Sequence, residues 1–141
     1  MSRQTLTYPS VSVGDKLPQL DIDVSTALIV GGALASRDFT PVHHDIGAAK
    51  ATGMQDVFMN ILTTNGLVAR YATDWAGPEA SIKKLDIRLG VPNFPGMVMK
   101  MTGSVIGKDD ANGIVEIEIA GKNTWGAHVT GTVQLALPGE A

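Results

Sequence analysis

Apolar residues recur at helical spacing in the first half of the chain, and the longest such stripe predicts one long helix. Its members lie mostly three or four positions apart: Val57, Phe58, Ile61, Leu62, Leu67, Val68 and Tyr71. A stripe of this kind is typical of a helix that packs against apolar surface on most sides. We therefore expect the helix to be largely buried and to end where Asp74, Gly77 and Pro78 interrupt the pattern.

An earlier helix is predicted from Thr26 to Ala35. Ser25 precedes this stretch as a helix-capping residue does, and the stretch is rich in alanine and leucine. Gly31 and Gly32 weaken the helix, because glycine is less favourable than alanine in a helix interior.

The segment after this helix contains a proline that limits its length. The helix must end near Asp38, because Pro41 disfavours helical geometry at the residue before it. Residues 38–43 are therefore predicted to form a loop. A short helix is predicted from Asp45 to Ala51, with Gly53 at its C-terminal end.

In the second half of the chain apolar and polar residues alternate with a period of two, as they do in strands. The apolar positions are Leu85, Ile87 and Leu89, then Met97, Met99 and Met101, then Ile117 and Ile119, and a final strand runs from His128 to Leu137. Asn112-Gly113 is a hairpin signal between two of these strands.

A further strand is predicted near the N-terminus, where Leu20, Ile22 and Val24 alternate after a turn at Gly14-Asp15. The helices and strands together predict the α+β class, with an antiparallel sheet available to wrap around the one long helix. Because the sequence has no internal repeat or linker, we expect a single domain over residues 1–141.

Composition narrows the classes of function. The chain has no cysteine, which excludes disulfides, cysteine-based metal sites and thiol nucleophiles. Its formal net charge is -3 and its basic residues are scattered, so nucleic acid is not expected as a partner. No apolar run approaches the roughly 20 residues that a membrane span requires. We interpret the chain as a cytoplasmic protein that binds neither nucleic acid nor membrane.

Candidate chemistry is concentrated between Ser36 and Asp45. These residues include two of the three histidines of the chain, two carboxylates and Pro41. Asp38 and His43 on a rigid loop can share one water molecule. The pair orients this water, abstracts one proton from it and returns one proton to the substrate, as addition of water to a conjugated double bond requires. In the alternative, purely structural interpretation, Asp38 caps a helix and His43 is a hydrogen-bonded core histidine.

The run Asp38-Phe39-Thr40-Pro41-Val42-His43 resembles the hydratase motif of the MaoC-like and (R)-specific enoyl-CoA hydratase families. That motif reads Asp, any residue, Asn, Pro, an aliphatic residue and His, so Thr40 departs from it, as does Arg37 where a glycine usually precedes the Asp. The chain resembles in particular the small MaoC-like subunits of actinobacterial steroid side-chain enoyl-CoA hydratases, which also lack that glycine. The segments that carry this similarity are 35–39, 42–45, 60–63, 66–71, 73–78 and 88–92.

The resemblance implies a hot-dog fold and an enoyl-CoA hydratase in which Asp38 and His43 are the catalytic pair. It also implies an oxyanion or substrate-binding position near Asn60, at the N-terminal end of the central helix. The implied substrate is a steroid 2-enoyl-CoA with a shortened side chain. No cofactor is implied, because CoA is part of the substrate. The implied partner is a larger subunit, with a MaoC-like domain and an OB-like DUF35 domain, in an α2β2 heterotetramer.

Two alternatives to this function stay open. Hot-dog acyl-CoA thioesterases usually place a carboxylate on the central helix, where this chain has Asn60 and Asn65 but no acid between Asp56 and Asp74. A non-catalytic scaffold subunit of a heteromeric complex is the other alternative.

The remaining candidates are given structural interpretations. His44 follows His43 directly, and neighbours in sequence rarely bind one ion, so no metal is predicted. His128 is interpreted as structural. The three methionines of the second predicted strand are interpreted as sheet core rather than as the wall of a lipid tunnel. Trp75 and Trp125 are expected to pack.

Overall fold

The computed structural model of the protein describes residues 4–139. Its helices and strands, in chain order, are β1 Lys16–Asp23, α1 Thr26–Ala35, α2 Ile46–Ala51, α3 Ile61–Ala76, β2 Ser81–Leu89, β3 Val98–Asp109, β4 Ile114–Asn123 and β5 Gly126–Ala136. Short 3₁₀ turns lie at Tyr8–Ser10 and Pro41–His43. The α+β class is as predicted. The first three and last two residues of the predicted domain lie outside the described residues.

The five strands form one antiparallel sheet in the order β1-β3-β4-β5-β2, so β1 and β2 are its edges. The inner face of the three central strands is apolar and fully buried, which confirms the period-two pattern. Its buried residues are Met99, Met101 and Val105, then Val115, Ile117 and Ile119, then Val129, Val133 and Leu135. This face packs in one hydrophobic cluster with the buried face of α3, and burial of apolar surface is the main term that stabilises such a layer pair.

Helix α3 begins later than the apolar stripe predicts. Val57 and Phe58 precede it, and the helix starts at Ile61 with Asn60 as its N-cap. The reason is that backbone groups before the helix bond elsewhere: the Met59 N–H donates to the Asn93 carbonyl at 3.1 Å. Only one face of α3 is buried, whereas the stripe predicts a largely buried helix. Ile61 and Leu62 lie outside that face and are about half exposed, at 48% and 47%.

Helix α1 has the predicted bounds, and its two glycines have different surroundings. Ser25 Oγ accepts a hydrogen bond from the Leu28 N–H at 3.0 Å and caps the helix. A Cβ at Gly32 would collide with the side chain of Thr63 on α3, whereas one at Gly31 would meet open space. Gly32 therefore allows α1 to approach the first turn of α3 closely.

Strand β1 starts at Lys16, before Pro18 and ahead of the alternating residues that predict it. Its pairing with β3 shifts register between Leu17 and Leu20, and Pro18 lies in that irregular stretch of an edge strand, where no ladder N–H is needed. The Pro18 carbonyl instead accepts a hydrogen bond from the Tyr71 hydroxyl at 3.0 Å. Among the described helices, none is long and apolar enough to cross a membrane.

Candidate active site

The turn at the C-terminal end of α1 positions Asp38 in the site. The Asp38 N–H donates to the Ala33 carbonyl at 2.9 Å and the Arg37 N–H donates to the Leu34 carbonyl at 3.1 Å. This is a Schellman motif, whose turn residue adopts left-handed geometry. Arg37 is that residue, with a φ of 57°. A glycine suits position 37 because glycine adopts a positive φ without strain.

Thr40 holds one oxygen of the Asp38 carboxylate. Asp38 Oδ1 accepts hydrogen bonds from Thr40 Oγ1 at 2.7 Å and from the Thr40 N–H at 3.2 Å. Pro41 then opens the 3₁₀ turn that ends at His43, because its fixed φ suits the first position of a helical turn. Asp38 and His43 are thereby brought to the same point.

His43 faces Asp38 through its Nε2 atom. Nε2 lies 3.3 Å from Asp38 Oδ2, and the side chain of Asp38 is 22% exposed. His43 Nδ1 lies 2.6 Å from the Phe58 carbonyl oxygen, which can only accept, so Nδ1 carries a hydrogen and donates it. The Phe58 ring packs edge-on against the imidazole at 5.1 Å between centroids. In the neutral histidine, Nε2 is therefore the free base.

Asn60 contacts the second oxygen of Asp38. Its Nδ2 donates to Asp38 Oδ2 at 3.0 Å and to Ser36 Oγ at 3.0 Å. Its Oδ1 accepts from the N–H and hydroxyl of Thr63, at 3.0 and 2.5 Å, and so caps α3. The residue is 2% exposed.

These hydrogen bonds keep Asp38 ionised. The side-chain hydrogen bond from Thr40, followed by that from Asn60, lowers the pKa of Asp38 to about 2, and the backbone N–H of Thr40 and the nearby His43 act in the same direction. At neutral pH the carboxylate is thus an acceptor only.

The first turn of α3 presents backbone N–H groups at this end of the helix. The Thr63 N–H is bonded to Asn60 Oδ1 and the Thr64 N–H to the Asn60 carbonyl. No described residue accepts a hydrogen bond from the N–H of Ile61 or Leu62. Unpaired N–H groups at a helix N-terminus favour a nearby negative oxygen.

Several large apolar side chains close in sequence to the site residues are exposed in the isolated chain. They are Leu34, Phe39, Ile61 and Leu62. Each is adjacent to, or within four residues of, Asp38 or Asn60 in sequence. A group of exposed large apolar side chains near a reactive pair is typical of a surface that binds a ligand or another protein.

The structure also describes the residues to which the sequence assigns no catalytic role. His128 is 2% exposed. Its Nδ1 atom lies 2.7 Å from the Val91 carbonyl oxygen and its Nε2 atom lies 2.8 Å from Thr64 Oγ1, both within hydrogen-bond distance. His44 is exposed, and residues 4–139 contain no group of three potential metal ligands from histidine, cysteine, aspartate or glutamate. Trp75 packs against the core, and Trp125, although 53% exposed, packs edge-on against the ring of Phe94 at 5.2 Å between centroids.

Sequence reasoning missed three groups of this site: Ser36 Oγ, the Phe58 carbonyl and the Thr63 side chain. A usable signal existed for Thr63, because an Asn three residues before a Thr, ahead of an apolar stripe, suggests an N-cap at Asn60. Nothing in the sequence signals the Phe58 carbonyl, since any residue has one.

Comparison with known proteins places this chain beside CoA hydratases. A family model described as "MaoC like domain" matches residues 10–125. The 3-oxo-4,17-pregnadiene-20-carboxyl-CoA hydratase beta subunit of Mycobacterium tuberculosis is 47% identical over 125 residues, which are 89% of this chain and 95% of that protein.

Solved structures agree with this assignment. A chain of the ChsH1-ChsH2 complex from Mycobacterium tuberculosis matches with a TM-score of 0.87 and 47% identity, over 89% of this chain and 98% of that chain. The R-hydratase PhaJ1 from Pseudomonas aeruginosa, in its unliganded form, matches with a TM-score of 0.85 over 96% of this chain and 88% of that chain, at 23% identity. The second likeness shows the fold alone, and together they confirm the predicted hot-dog fold.

Proposed function

The chain belongs to the MaoC-like domain family, and on that premise we propose that it is the catalytic subunit of an enoyl-CoA hydratase. The observation that supports this best is the 3.3 Å approach of two hydrogen-bond acceptors, His43 Nε2 and Asp38 Oδ2. Two acceptors this close bind one donor well. A water molecule can donate one hydrogen to each of them and is then held with its oxygen free to attack.

The reaction proceeds as a proton cycle through His43. Nε2 removes a proton from the water while the water oxygen bonds to the β-carbon of the 2-enoyl thioester. The electron pair of the double bond moves onto the thioester, whose oxygen becomes enolate-like. The α-carbon then takes the proton back from Nε2, so the elements of water have been added across the double bond. Because one group handles water and proton, both add to the same face.

Asp38 acts as an anion throughout this cycle. With its pKa lowered to about 2 by Thr40 and Asn60, it does not hold a proton at neutral pH. It orients the water and stabilises the imidazolium that forms at His43.

The oxyanion position predicted near Asn60 is assigned to the backbone of the first turn of α3. The N–H groups of Ile61 and Leu62, together with the positive end of the helix dipole, suit the enolate oxygen. The reaction requires no cofactor beyond the CoA of the substrate, because it is acid–base chemistry alone.

The substrate we propose is a steroid side-chain 2-enoyl-CoA. The M. tuberculosis relative is named for a pregnadiene carboxyl-CoA, and the exposed apolar residues Leu34, Phe39, Ile61 and Leu62 can contact a bulky ring system. The same exposed surface and the free edge of β2 support a partner subunit. We propose the larger MaoC-like/DUF35 subunit, in an α2β2 heterotetramer.

The test is hydration of a steroid 2-enoyl-CoA by this chain copurified with its larger partner, followed as loss of enoyl-thioester absorbance. His43→Ala should lower kcat/KM by roughly 10²–10⁴, the usual contribution of an acid–base group. His44→Ala is the matched control: it removes the neighbouring, exposed imidazole and should leave the rate unchanged.

Two results would exclude this function. Release of free CoA without hydration would indicate a thioesterase. Equal inactivity of wild type and His43→Ala toward steroid and straight-chain enoyl-CoAs, in hydration and thioesterase assays, would indicate a scaffold subunit.

A further inference from the structure

We propose that Asn60 is a positioning residue, whose side-chain amide fixes the carboxylate of Asp38 to the first turn of helix α3. The inference rests on the proposed function, since it gives Asn60 a role in the same site. That role differs from binding the substrate oxygen.

The orientation of the Asn60 amide is determined by its surroundings. The backbone N–H of Thr63 can only donate, so the atom of Asn60 that faces it at 3.0 Å must be Oδ1. The NH₂ group must then face Asp38 and Ser36. The usual ambiguity between the two ends of an amide does not arise here.

The hydrogen-bonding capacity of this amide is fully used. Each of its two hydrogens has an acceptor, Asp38 Oδ2 or Ser36 Oγ. Oδ1 accepts two hydrogen bonds, both from Thr63. No donor is left for a thioester oxygen, which is why the amide acts through Asp38 rather than on the substrate.

The Asp38 carboxylate is consequently held at both oxygens by two different elements. Thr40 binds Oδ1 from the loop, and Asn60 binds Oδ2 from α3. Oδ2 is also the oxygen that lies 3.3 Å from His43 Nε2. Rotation of the carboxylate would break a hydrogen bond on either side, so the acceptor that shares the water stays in place. Asn60 is 2% exposed, and bulk water therefore cannot replace it.

Asn60→Ser separates the two functions of this side chain. Serine caps helices about as well as asparagine, but one hydroxyl cannot cap α3 and also reach Asp38. In the copurified complex we expect kcat to fall roughly ten- to hundredfold, the effect of losing a hydrogen bond to a charged group. KM should change less than about twofold, because Asn60 contacts no substrate.

Ser25→Ala is the matched control for a purely structural role. It removes the capping hydroxyl of α1, which accepts from the Leu28 N–H at 3.0 Å, at a point away from Asp38. If Asn60 only caps a helix, neither variant should lower kcat, and only Ser25→Ala, which removes a cap, should lower the melting temperature.

A readout independent of catalysis is the titration of Asp38, followed by the ¹³C signal of its carboxyl in labelled complex and assigned with Asp38→Asn. In Asn60→Ser the pKa of Asp38 should rise from about 2, so its titration begins at a higher pH than in wild type. Identical titration curves together with unchanged kcat would overturn the inference. A shifted curve in a complex that hydrates no enoyl-CoA would uphold the positioning of Asp38 and reject the proposed function instead.

Discussion

His43 and His128 are both buried histidines whose Nδ1 atoms donate to a backbone carbonyl. The Nδ1–oxygen distances are 2.6 Å to Phe58 and 2.7 Å to Val91. Each imidazole is thus held in the same tautomer, with Nε2 as the basic atom. The two rings differ in what Nε2 faces: a carboxylate oxygen at 3.3 Å for His43 and the hydroxyl of Thr64 at 2.8 Å for His128.

This difference decides which histidine can react. The Thr64 hydroxyl donates to Nε2 of His128, so both ring nitrogens are satisfied, and burial lowers the pKa of His128. His128 therefore stays neutral and structural. At His43 the neighbouring group is an acceptor, so Nε2 remains available to a water molecule and, once protonated, lies beside a negative charge. A histidine of this tautomer can act as a base only where no protein group already donates a hydrogen bond to its Nε2 atom.

The largest expected effect comes from making the His43 site resemble that of His128. Asp38→Asn replaces the acceptor that faces Nε2 by a neutral amide of the same shape, which can donate to it. We expect kcat/KM for enoyl-CoA hydration to fall by roughly 10²–10⁴, because neither the water nor the imidazolium is then held by a charge.

Asp45→Asn is the matched control for that change. Asp45 caps α2 by accepting from the Ala48 N–H at 2.9 Å, and asparagine caps about as well. The control makes the same chemical substitution seven residues away and should keep wild-type activity. If the Asp38→Asn variant hydrates enoyl-CoA as fast as this control, the carboxylate that faces Nε2 of His43 does not contribute to catalysis.

The sequence predicts the parts of the fold that depend on local patterns. The bounds of α1, the alternation of Met99 and Met101, and the hairpin at Asn112-Gly113 follow from capping, period and turn chemistry, and all are confirmed. The start of α3 was predicted too early, because the stripe through Val57 and Phe58 continues into an extended segment. That segment is held by a long-range bond from Met59 to Asn93, which no local pattern contains.

The site was predictable as a set of residue types and not as a geometry. Asp38 and His43 were identified from their spacing, and the structure brings them together, while their catalytic roles stay a prediction. The contact between Asp38 and Asn60 joins residues 22 positions apart. It exists because Gly32 lets α1 approach Thr63, a tertiary condition that sequence reasoning interpreted only as a weakness of the helix.

A smaller effect is expected from removing the donor at His128. Thr64→Val keeps the shape of the buried side chain but leaves Nε2 of His128 without a hydrogen bond. An unsatisfied buried polar atom costs about 1–3 kcal/mol, so the melting temperature of the complex should fall by several degrees. Per folded molecule, hydration should change far less than in Asp38→Asn. A loss of activity as large as that of Asp38→Asn, at unchanged melting temperature, would show that His128 takes part in the reaction.

The smallest effect is the dependence of stability on pH that His128 contributes. Burial lowers the pKa of His128 below its ordinary value of about 6.5, so the unfolded chain binds more protons than the folded one as the pH falls through that value. This contribution to stability is therefore complete above about pH 6.5 and is lost progressively below it, down to the folded pKa. His128→Gln can keep both hydrogen bonds without titrating. Melting temperatures of the complex measured from pH 8 to 5 should fall less steeply for the variant than for wild type, whatever its absolute stability. Parallel curves would mean that His128 is protonated alike in both states, and that Thr64 does not hold it neutral.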